Sequence, residues 1–293
     1  MVRAEYAVAS TLVFAMETLP LSLARKVASL TARTLDAFIP KLRRVANKNL
    51  SFALPELDDA GRKRIVDGTF ESVGRLLLAL ARFPRIHAEN VGDWIGYEGL
   101  ENYHAAKRKG KGVLVATAHL GNWELSAFTH AFMTEPMSVM VRPLDNPLID
   151  AMVERRRISS GNKLIFKKDA ARSVLKALKN NEAVGILMDQ NASLNEGVFV
   201  EFFGEQACAN AAFVKFAHHS GAAVIPGFAF WDASAARYVL RFYPEVEMSG
   251  DVAADTQRVH GVLERIIREY PDQWLWIHRR WKTRPPGSAG IYS

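Results

Sequence analysis

From residue 112 onward, short apolar runs alternate with helical stretches, and this alternation restricts the folds open to the chain. Six runs have the length and composition of buried strands: GVLVATA (112–118), MSVMV (137–141), KLIF (163–166), AVGILMD (183–189), AVIPGFAF (223–230) and YVLRFY (238–243). Helical patterns separate them near 121–133, 146–159, 169–180, 210–219 and 254–269. Strands that are apolar throughout need cover on both faces. The sequence therefore predicts an α/β fold with a mixed, largely parallel central sheet flanked by helices, preceded by a mostly helical segment.

The first 45 residues predict helices associated with a membrane surface. Apolar residues recur at helical spacing between Tyr6 and Leu35, with basic residues beside them. The most apolar run, AVASTLVFAM (7–16), is shorter than the ~20 residues of a spanning helix. A helical hairpin lying in the lipid interface and two helices packed on the rest of the protein both fit this pattern. The predicted division is a helical, membrane-associating segment (1–45), an α/β domain (46–285) and a flexible tail (286–293).

The net charge of +7 is concentrated at the two ends of the chain. Residues 1–50 carry +5 and residues 265–284 carry +4, whereas the remainder carries −2. Basic ends indicate an anionic partner, such as an anionic membrane surface, phosphates or an acidic protein, although solubility alone is an alternative explanation. Nothing in the sequence resembles a nucleic-acid-binding module, so we expect no nucleic-acid partner.

Cysteine and histidine usage argues against a metal centre. The single cysteine, Cys208, excludes an internal disulfide and a cysteine metal cluster. The eight histidines show no paired ligand spacing on one helix. We therefore expect no metal and no bound cofactor.

The stretch TAHLGNWEL (117–125) places His119 at the end of a predicted strand, before a Gly-Asn turn and a helix. Ligands of open α/β sheets bind at the carboxyl ends of strands, and amides at a helix start suit a developing anion. Glu124, one helical turn further, could hold the imidazole in one tautomer and keep it basic. His130 and Glu135 have the same spacing late in a helix, where a packing role is the default. A catalytic pair and a coincidence both remain open for His119.

Other predicted strands also end in polar residues. Arg142 follows one strand, and Asp189 and Gln190 follow another. Because parallel strands finish at the same edge of a sheet, we expect these side chains to converge with His119. Taken singly, Arg142 could form a structural ion pair and Asp189 could cap a turn or a helix.

The chemistry of such a set combines proton abstraction with the binding of an anion. A neutral histidine can take a proton from an alcohol that attacks a carbonyl, and arginine binds phosphates or carboxylates with two parallel bonds. The chain has no Gly-x-Ser-x-Gly nucleophile elbow, and Cys208 lies in a loop of small residues. Direct transfer to a bound acceptor is therefore favoured over a covalent acyl-enzyme.

Motifs along nearly the whole chain carry a family resemblance. They are NKNLSFALPEL (47–57), HLGNWE (119–124), RPLDNPLID (142–150), DQN (189–191), EGVFVEFFGEQA (196–207), GAAVIPGF (221–228) and PDQWLWIHRRWKTRP (271–285). In this order they resemble the late acyltransferases of lipid A biosynthesis, the lauroyl and myristoyl transferases within the lysophospholipid acyltransferase superfamily. Family members often begin with a clearer hydrophobic anchor. We therefore expect this chain to attach at the membrane interface rather than through a single spanning helix.

The resemblance implies transfer of a fatty acyl chain from an acyl carrier protein thioester to a hydroxyl of a lipid A precursor. It implies acyl carrier protein and a membrane lipid acceptor as partners, and a location on the cytoplasmic face of the bacterial inner membrane. In this interpretation His119 is the general base and Glu124 its partner in a charge relay. Substrate binding is assigned to Arg142, Asn122, Gly121, Asp189 and Gln190.

The C-terminal motif supplies further candidates. Three basic residues could contact acyl carrier protein or lipid headgroups, or merely solvate the tail: Arg279, Arg280 and Lys282. Three tryptophans suit a membrane interface, with core packing as the alternative: Trp274, Trp276 and Trp281. The run GVFVEFF (197–203) could line an acyl groove or form a core strand or loop.

Two alternative functions remain open at this point. One is an acyltransferase that acts on another membrane glycolipid or phospholipid. The other is a non-catalytic membrane-binding protein that uses the basic ends.

Overall fold

The computed structural model describes residues 2–166 and 170–292. Its α-helices are α1 (Val2–Thr18), α2 (Leu21–Phe38), α3 (Pro40–Ala53), α4 (Asp59–Arg82), α5 (Leu100–Arg108), α6 (Trp123–Met133), α7 (Pro147–Ile158), α8 (Ala170–Lys179), α9 (Ala212–Ser220) and α10 (Val252–Glu269). Its strands are β1 (Ile95–Glu98), β2 (Val113–Thr117), β3 (Ser138–Val141), β4 (Lys163–Phe166), β5 (Ala183–Leu187), β6 (Gly197–Phe202), β7 (Glu205–Asn210), β8 (Ala223–Asp232) and β9 (Arg237–Phe242).

Seven strands form one sheet in the order β1-β9-β8-β2-β5-β3-β4. The β8, β2, β5, β3 and β4 strands are parallel, β9 runs antiparallel to β8, and β1 is parallel to β9. This confirms the predicted mixed, largely parallel sheet and all six predicted strands. The four-residue β1 was not predicted, because a short edge strand with one exposed side carries a weak pattern.

Both faces of the sheet are buried, as the apolar strands require. Side chains alternate between the two faces of a strand. On β2, Val113 and Val115 pack in the cluster that includes Phe128 of α6, whereas Leu114 and Ala116 pack with α8, α9 and α10. The strands are therefore apolar throughout because each contributes to two separate cores.

The β6–β7 pair forms a separate antiparallel hairpin. Its two-residue turn, Phe203–Gly204, has positive φ at both positions, as the right-handed strand twist favours. Phe203 accepts this strained backbone because its ring is buried against Trp274 and Trp276. The run 197–203 is thus strand β6 with the first turn residue, and its Phe202 and Phe203 lie in the core, which agrees with the alternative of a core strand.

The three C-terminal tryptophans are all in the core. Trp274, Trp276 and Trp281 are 2%, 0% and 0% exposed, so none can reach a membrane interface. Their indole N–H groups donate to Asp189 and to the backbone oxygens of Pro271 and Phe202. The interpretation as a membrane belt is corrected, since the segment fastens the hairpin and the sheet edge together.

The predicted N-terminal helices are present and pack on α4 and α7. The buried face of α2 consists of Ala24, Ala28 and Ala32. A Cβ at Gly74 of α4 would lie 3.1 Å from the Ala28 carbonyl oxygen, so small residues on both helices permit the close approach. Within the described part of the chain, every helix is too short or too polar to cross a bilayer.

Polar contacts fasten α1 to α7. The Asn146 side chain donates to Glu5 and to the Val2 carbonyl, and Arg156 pairs with Glu17 at 2.6 Å. The first helix is therefore a fixed part of the fold.

Candidate functional site

The carboxyl ends of β2 and β5 bring His119 and Asp189 together. The strands are parallel neighbours, with Thr117 paired to Leu187, so the two residues that follow each strand end lie side by side. The His119 Nδ1 lies 2.8 Å from Asp189 Oδ1, and the His119 backbone N–H donates to Asp189 Oδ2 at 2.9 Å. The predicted convergence of His119 and Asp189 at one sheet edge is confirmed.

The Asp189 carboxylate is fully engaged. Its Oδ2 also accepts a hydrogen bond from the Trp274 indole at 2.7 Å, and its side chain is only 3% exposed. Burial acts to raise the pKa of Asp189, but the charge of His119 and the hydrogen bonds from His119 and Trp274 outweigh it and lower the pKa well below its ordinary value. The carboxylate is ionised at neutral pH and can only accept hydrogen bonds, so it fixes the proton of a neutral His119 ring on Nδ1.

The other ring nitrogen of His119 points to the open side of the site. Its Nε2 lies 3.2 Å from the Nε2 of the exposed Gln190, whose amide N–H can donate to the free lone pair. The Trp123 ring contacts the imidazole edge-on, with 4.8 Å between centroids. The His119 side chain is 13% exposed, enough for a small group to reach Nε2. The ring is therefore arranged to accept a proton.

A second polar layer holds the loop after β5. The Asn191 N–H donates to His278 Nε2 at 3.2 Å, and the Asn191 side chain exchanges hydrogen bonds with Thr283. Burial lowers the pKa of His278 to about 4, which keeps the ring neutral and able to accept this bond. No local spacing could indicate these contacts, because the partners lie more than 80 residues apart.

Gly121 and Asn122 shape the turn rather than contact a substrate. Gly121 has φ +63°, and a Cβ there would lie 1.9 Å from the Ala229 oxygen. Asn122 is 0% exposed, and its side chain caps α6 by accepting from the Leu125 N–H. The amides of both residues donate to the Gln273 and Ala229 carbonyls. The substrate-binding role expected for these two residues is therefore corrected to a positioning role.

Glu124 does not hold the His119 imidazole. It forms a two-point ion pair with Arg157 of α7, with contacts of 2.8 and 2.5 Å, and the two side chains are 11% and 17% exposed. Burial acts to lower the pKa of Arg157, but the hydrogen bond and charge of Glu124 raise it above its ordinary value. The expected charge relay between His119 and Glu124 is corrected, because Asp189 occupies the position of the orienting carboxylate.

Arg142 stands at the rim, at the end of β3. Its side chain is 84% exposed, and its only ion pair with a described residue is a 3.5 Å contact to Asp145, itself 97% exposed. A guanidinium held this weakly is available to an anionic ligand.

The basic C-terminal candidates divide into three environments. Arg280 is 0% exposed, donates to the Cys208 carbonyl and lies 5.4 Å from the Phe202 ring centroid. Burial lowers the pKa of its guanidinium to about 10. Arg279 is half-buried over the Tyr292 ring, and only Lys282 is exposed. A docking role for Arg280 is therefore wrong, since no partner can reach it.

One cavity of about 1180 Å³ opens at this rim, and its lining includes His119, Glu124, Arg142, Arg157 and Gln190. It has two arms. The α6 arm lies between α6 and one sheet face, and its lining includes Thr117, Phe128, His130, Met137, Gly185 and Phe242. The α9 arm lies on the other sheet face, and its lining includes Met140, Ala171, Ile186, Met188, Phe213 and Phe216. The lining thus combines apolar side chains from both sheet faces with the charged side chains of Glu124, Arg142 and Arg157.

Comparison with known proteins assigns the class of this enzyme. The chain belongs to the bacterial lipid A biosynthesis acyltransferase family, whose model matches residues 4–283. The match includes the sheet and every site residue described above. The chain is therefore an acyltransferase, which confirms the resemblance drawn from its motifs.

Individual relatives are similar over most of their length. The lipid A biosynthesis palmitoleoyltransferase of Escherichia coli K12 is 30% identical over 258 residues, which cover 87% of this chain and 83% of the relative. The lauroyltransferase of the same organism is also 30% identical, over 87% of this chain and 84% of its own. The myristoyltransferase is 24% identical over 85% and 78%. These relatives differ in the fatty acyl group that their names state.

Proposed function

We propose that this acyltransferase moves a fatty acyl chain from an acyl carrier protein thioester to a hydroxyl of a lipid A precursor, with His119 as general base. The observation that carries the proposal is the 2.8 Å contact between His119 Nδ1 and Asp189 Oδ1 at the mouth of the apolar cavity. This contact leaves Nε2 as the basic atom at the point where the two arms meet.

The step needs only one base. The acceptor hydroxyl oxygen attacks the thioester carbonyl carbon while His119 Nε2 takes the hydroxyl proton. The tetrahedral intermediate then expels the thiolate, the C–S bond breaks, and the thiolate recovers the proton from the imidazolium. Asp189 stabilises that imidazolium through Nδ1 without being protonated itself. A general base of this kind contributes ~10²–10⁴-fold to the rate.

Thr117 supports the negative charge that develops on the carbonyl oxygen. Its Oγ1 is buried, lines the cavity two residues before His119 and has no hydrogen-bond partner among the described residues. A buried hydroxyl without a partner is costly unless a ligand satisfies it. The donor carbonyl provides such a partner, and the bond strengthens as the oxygen becomes an oxyanion.

The α6 arm receives the donor acyl chain. Its residues Phe128, His130 and Phe242 are 1%, 1% and 4% exposed, so the wall of this arm is buried. Gly185 and Gly227 let the side chains of Met137 and Phe242 lie against the sheet, since a Cβ at either glycine would be 2.9 Å from one of them. A straight hydrocarbon chain suits this buried apolar wall, and burial favours it by ~0.8 kcal/mol per methylene.

Exposed cations support an anionic acceptor and an acidic carrier. Arg142 at the rim suits a phosphate of the acceptor. Lys282 is exposed, and so is Lys48 on α3, next to Asn49, whose side chain donates to the Trp276 and His278 carbonyls. These lysines replace the buried Arg280 as candidates for contact with acyl carrier protein.

The N-terminal helices attach the enzyme to the cytoplasmic face of the inner membrane. Phe14, Leu30 and Phe38 are 66%, 66% and 82% exposed on α1 and α2. Exposed basic residues accompany them, including Arg25 and Lys26. An apolar surface with a basic border suits insertion at an anionic leaflet.

The test is transfer by the purified full-length chain. With acyl carrier protein thioesters and a lipid A precursor in anionic vesicles, we expect His119→Ala to lower kcat by at least roughly 10²-fold. His87→Ala, which alters an exposed histidine outside the cavity lining, is the matched control and should retain full activity. Retained transfer by His119→Ala would refute the base, and transfer only to other glycolipids or phospholipids would favour the alternative acceptor.

A further inference from the structure

The cavity reaches both faces of the central sheet. Adjacent residues of β5 show this division, since Gly185 and Leu187 line the α6 arm whereas Ile186 lines the α9 arm. Met188 continues the second face beyond the end of the strand. The reactive His119 stands at the sheet edge, where the two faces meet. Two hydrocarbon chains can therefore approach His119 from opposite faces without competing for the same space.

The α9 arm combines buried aromatic residues with an exposed alanine. Phe213 and Phe216 of α9 are 2% and 8% exposed and form one wall. Ala171, at the start of α8, is exposed and forms part of the other wall. A chain that is still joined to a large headgroup can reach such a wall from its exposed side.

A cation stands at the mouth of the α9 arm. Lys215 is exposed and lines the cavity, and no described carboxylate lies within ion-pair distance of it. Arg142, with its single 3.5 Å contact to Asp145, lines the same cavity. Apolar walls with cations at the entrance are complementary to an anionic lipid, with its chain inside and its phosphate outside.

We propose that the α9 arm binds a fatty acyl chain already present on the acceptor, with Lys215 and Arg142 at the acceptor's anionic groups. This inference rests on the proposed function and adds a separate acceptor site to it. The cavity, at about 1180 Å³, exceeds the ~300–1,000 Å³ of a pocket for one small ligand, which agrees with two occupants. The enzyme then selects acceptors by their acylation as well as by their headgroup.

The experiment places the same bulky residue in each arm. Ala171→Trp narrows the α9 arm, and Ala127→Trp, on α6, narrows the α6 arm. KM is measured separately for the acceptor and for acyl carrier protein thioesters of several chain lengths. We expect Ala171→Trp to raise the acceptor KM by roughly tenfold, which corresponds to lost burial of about two methylene groups. The dependence of the donor KM on chain length should stay unchanged. Ala127→Trp should shift donor preference to shorter chains and leave the acceptor KM unchanged.

Other outcomes overturn the inference. A shift of donor chain preference by Ala171→Trp would place the donor chain in the α9 arm. A higher KM for every donor, whatever its chain length, would place the part of the carrier next to the thioester there. No change in either KM would mean that the α9 arm is unoccupied in the reaction. All three results require active enzyme, so they differ from failure of the proposed function, in which the unmodified chain transfers no acyl group. Circular dichroism melting of both variants controls for folding.

Discussion

The Nδ1 of His119 lies 2.8 Å from the Oδ1 of Asp189, although 70 residues separate them in the chain. We predict that Asp189→Asn lowers kcat by roughly 10²–10⁴-fold, because an amide at this position can donate to Nδ1 and favour the wrong tautomer. Steady-state transfer assays with acyl carrier protein thioester measure this loss.

A double-mutant cycle distinguishes a shared unit from two independent contributions. If Asp189 acts only through His119, adding Asp189→Asn to His119→Ala should cause little further loss, because residues that act as a unit are strongly non-additive. If the losses in activation free energy from the two substitutions were fully additive, Asp189 would not act through His119.

The Glu124–Arg157 pair predicts a stability effect. Glu124→Ala leaves the largely buried Arg157 guanidinium without a counter-charge, and loss of one partner of a buried pair costs about 3–5 kcal/mol. Chemical denaturation should show this decrease in the free energy of unfolding. The double variant Glu124→Leu with Arg157→Leu should recover much of it, since no isolated charge remains. Unchanged stability with lost transfer in Glu124→Ala would instead return Glu124 to a direct part in catalysis.

The unpartnered hydroxyl of Thr117 predicts a kinetic effect without a structural one. Thr117→Val preserves the shape of the side chain and removes the donor, so kcat should fall by roughly 10- to 10²-fold while the melting temperature changes little. Thr117→Ser keeps a hydroxyl and should retain most of the activity. Equal activity of the valine and serine variants would exclude a contact with the reacting carbonyl.

Two buried histidines predict acid sensitivity of the fold. Burial lowers the pKa of His130 and of His260 to about 4, whereas an unfolded histidine titrates near ~6.5. Between these values the unfolded chain binds more protons, so the stabilisation is complete above pH ~6.5 and is lost as the pH falls towards 4. Denaturation at a series of pH values should show this decline. His130→Gln should reduce the slope of the unfolding free energy against pH by up to the equivalent of one bound proton. An unchanged slope in both His130→Gln and His260→Gln would contradict the lowered pKa of these histidines.

The exposed apolar residues of α1 and α2 predict vesicle binding. The triple substitution Phe14→Ser, Leu30→Ser, Phe38→Ser removes three side chains, each worth ~1.5–3 kcal/mol when buried. The partition coefficient onto anionic vesicles, measured by co-sedimentation, should fall by more than roughly 10²-fold. The melting temperature should stay close to that of the unmodified chain. Met133→Ser, at 41% exposure on α6, is the control outside the helical pair. Undiminished sedimentation of the triple variant would exclude this surface as the membrane contact.

Much of the architecture was predictable because local patterns specify it. The six apolar runs identified six of the seven strands of the sheet. Their fully apolar character correctly indicated a sheet buried on both faces. The prediction that His119 and Asp189 share one edge also followed from parallel strand order. By contrast, the spacing from His119 to Glu124 suggested a pair that does not form, because α6 directs Glu124 towards Arg157 of α7.

Sequence by itself determined most of the secondary structure, the family and the place of His119 at the end of a strand, since these depend on short-range periodicity and ordered motifs. Tertiary structure alone decided which carboxylate orients His119, which of the C-terminal cations are accessible, and that the three tryptophans belong to the core. The physical reason is that hydrogen-bond partners and burial depend on which elements pack together. The contacts of Asp189 with His119 and Trp274 span 70 and 85 residues, beyond the reach of any local pattern.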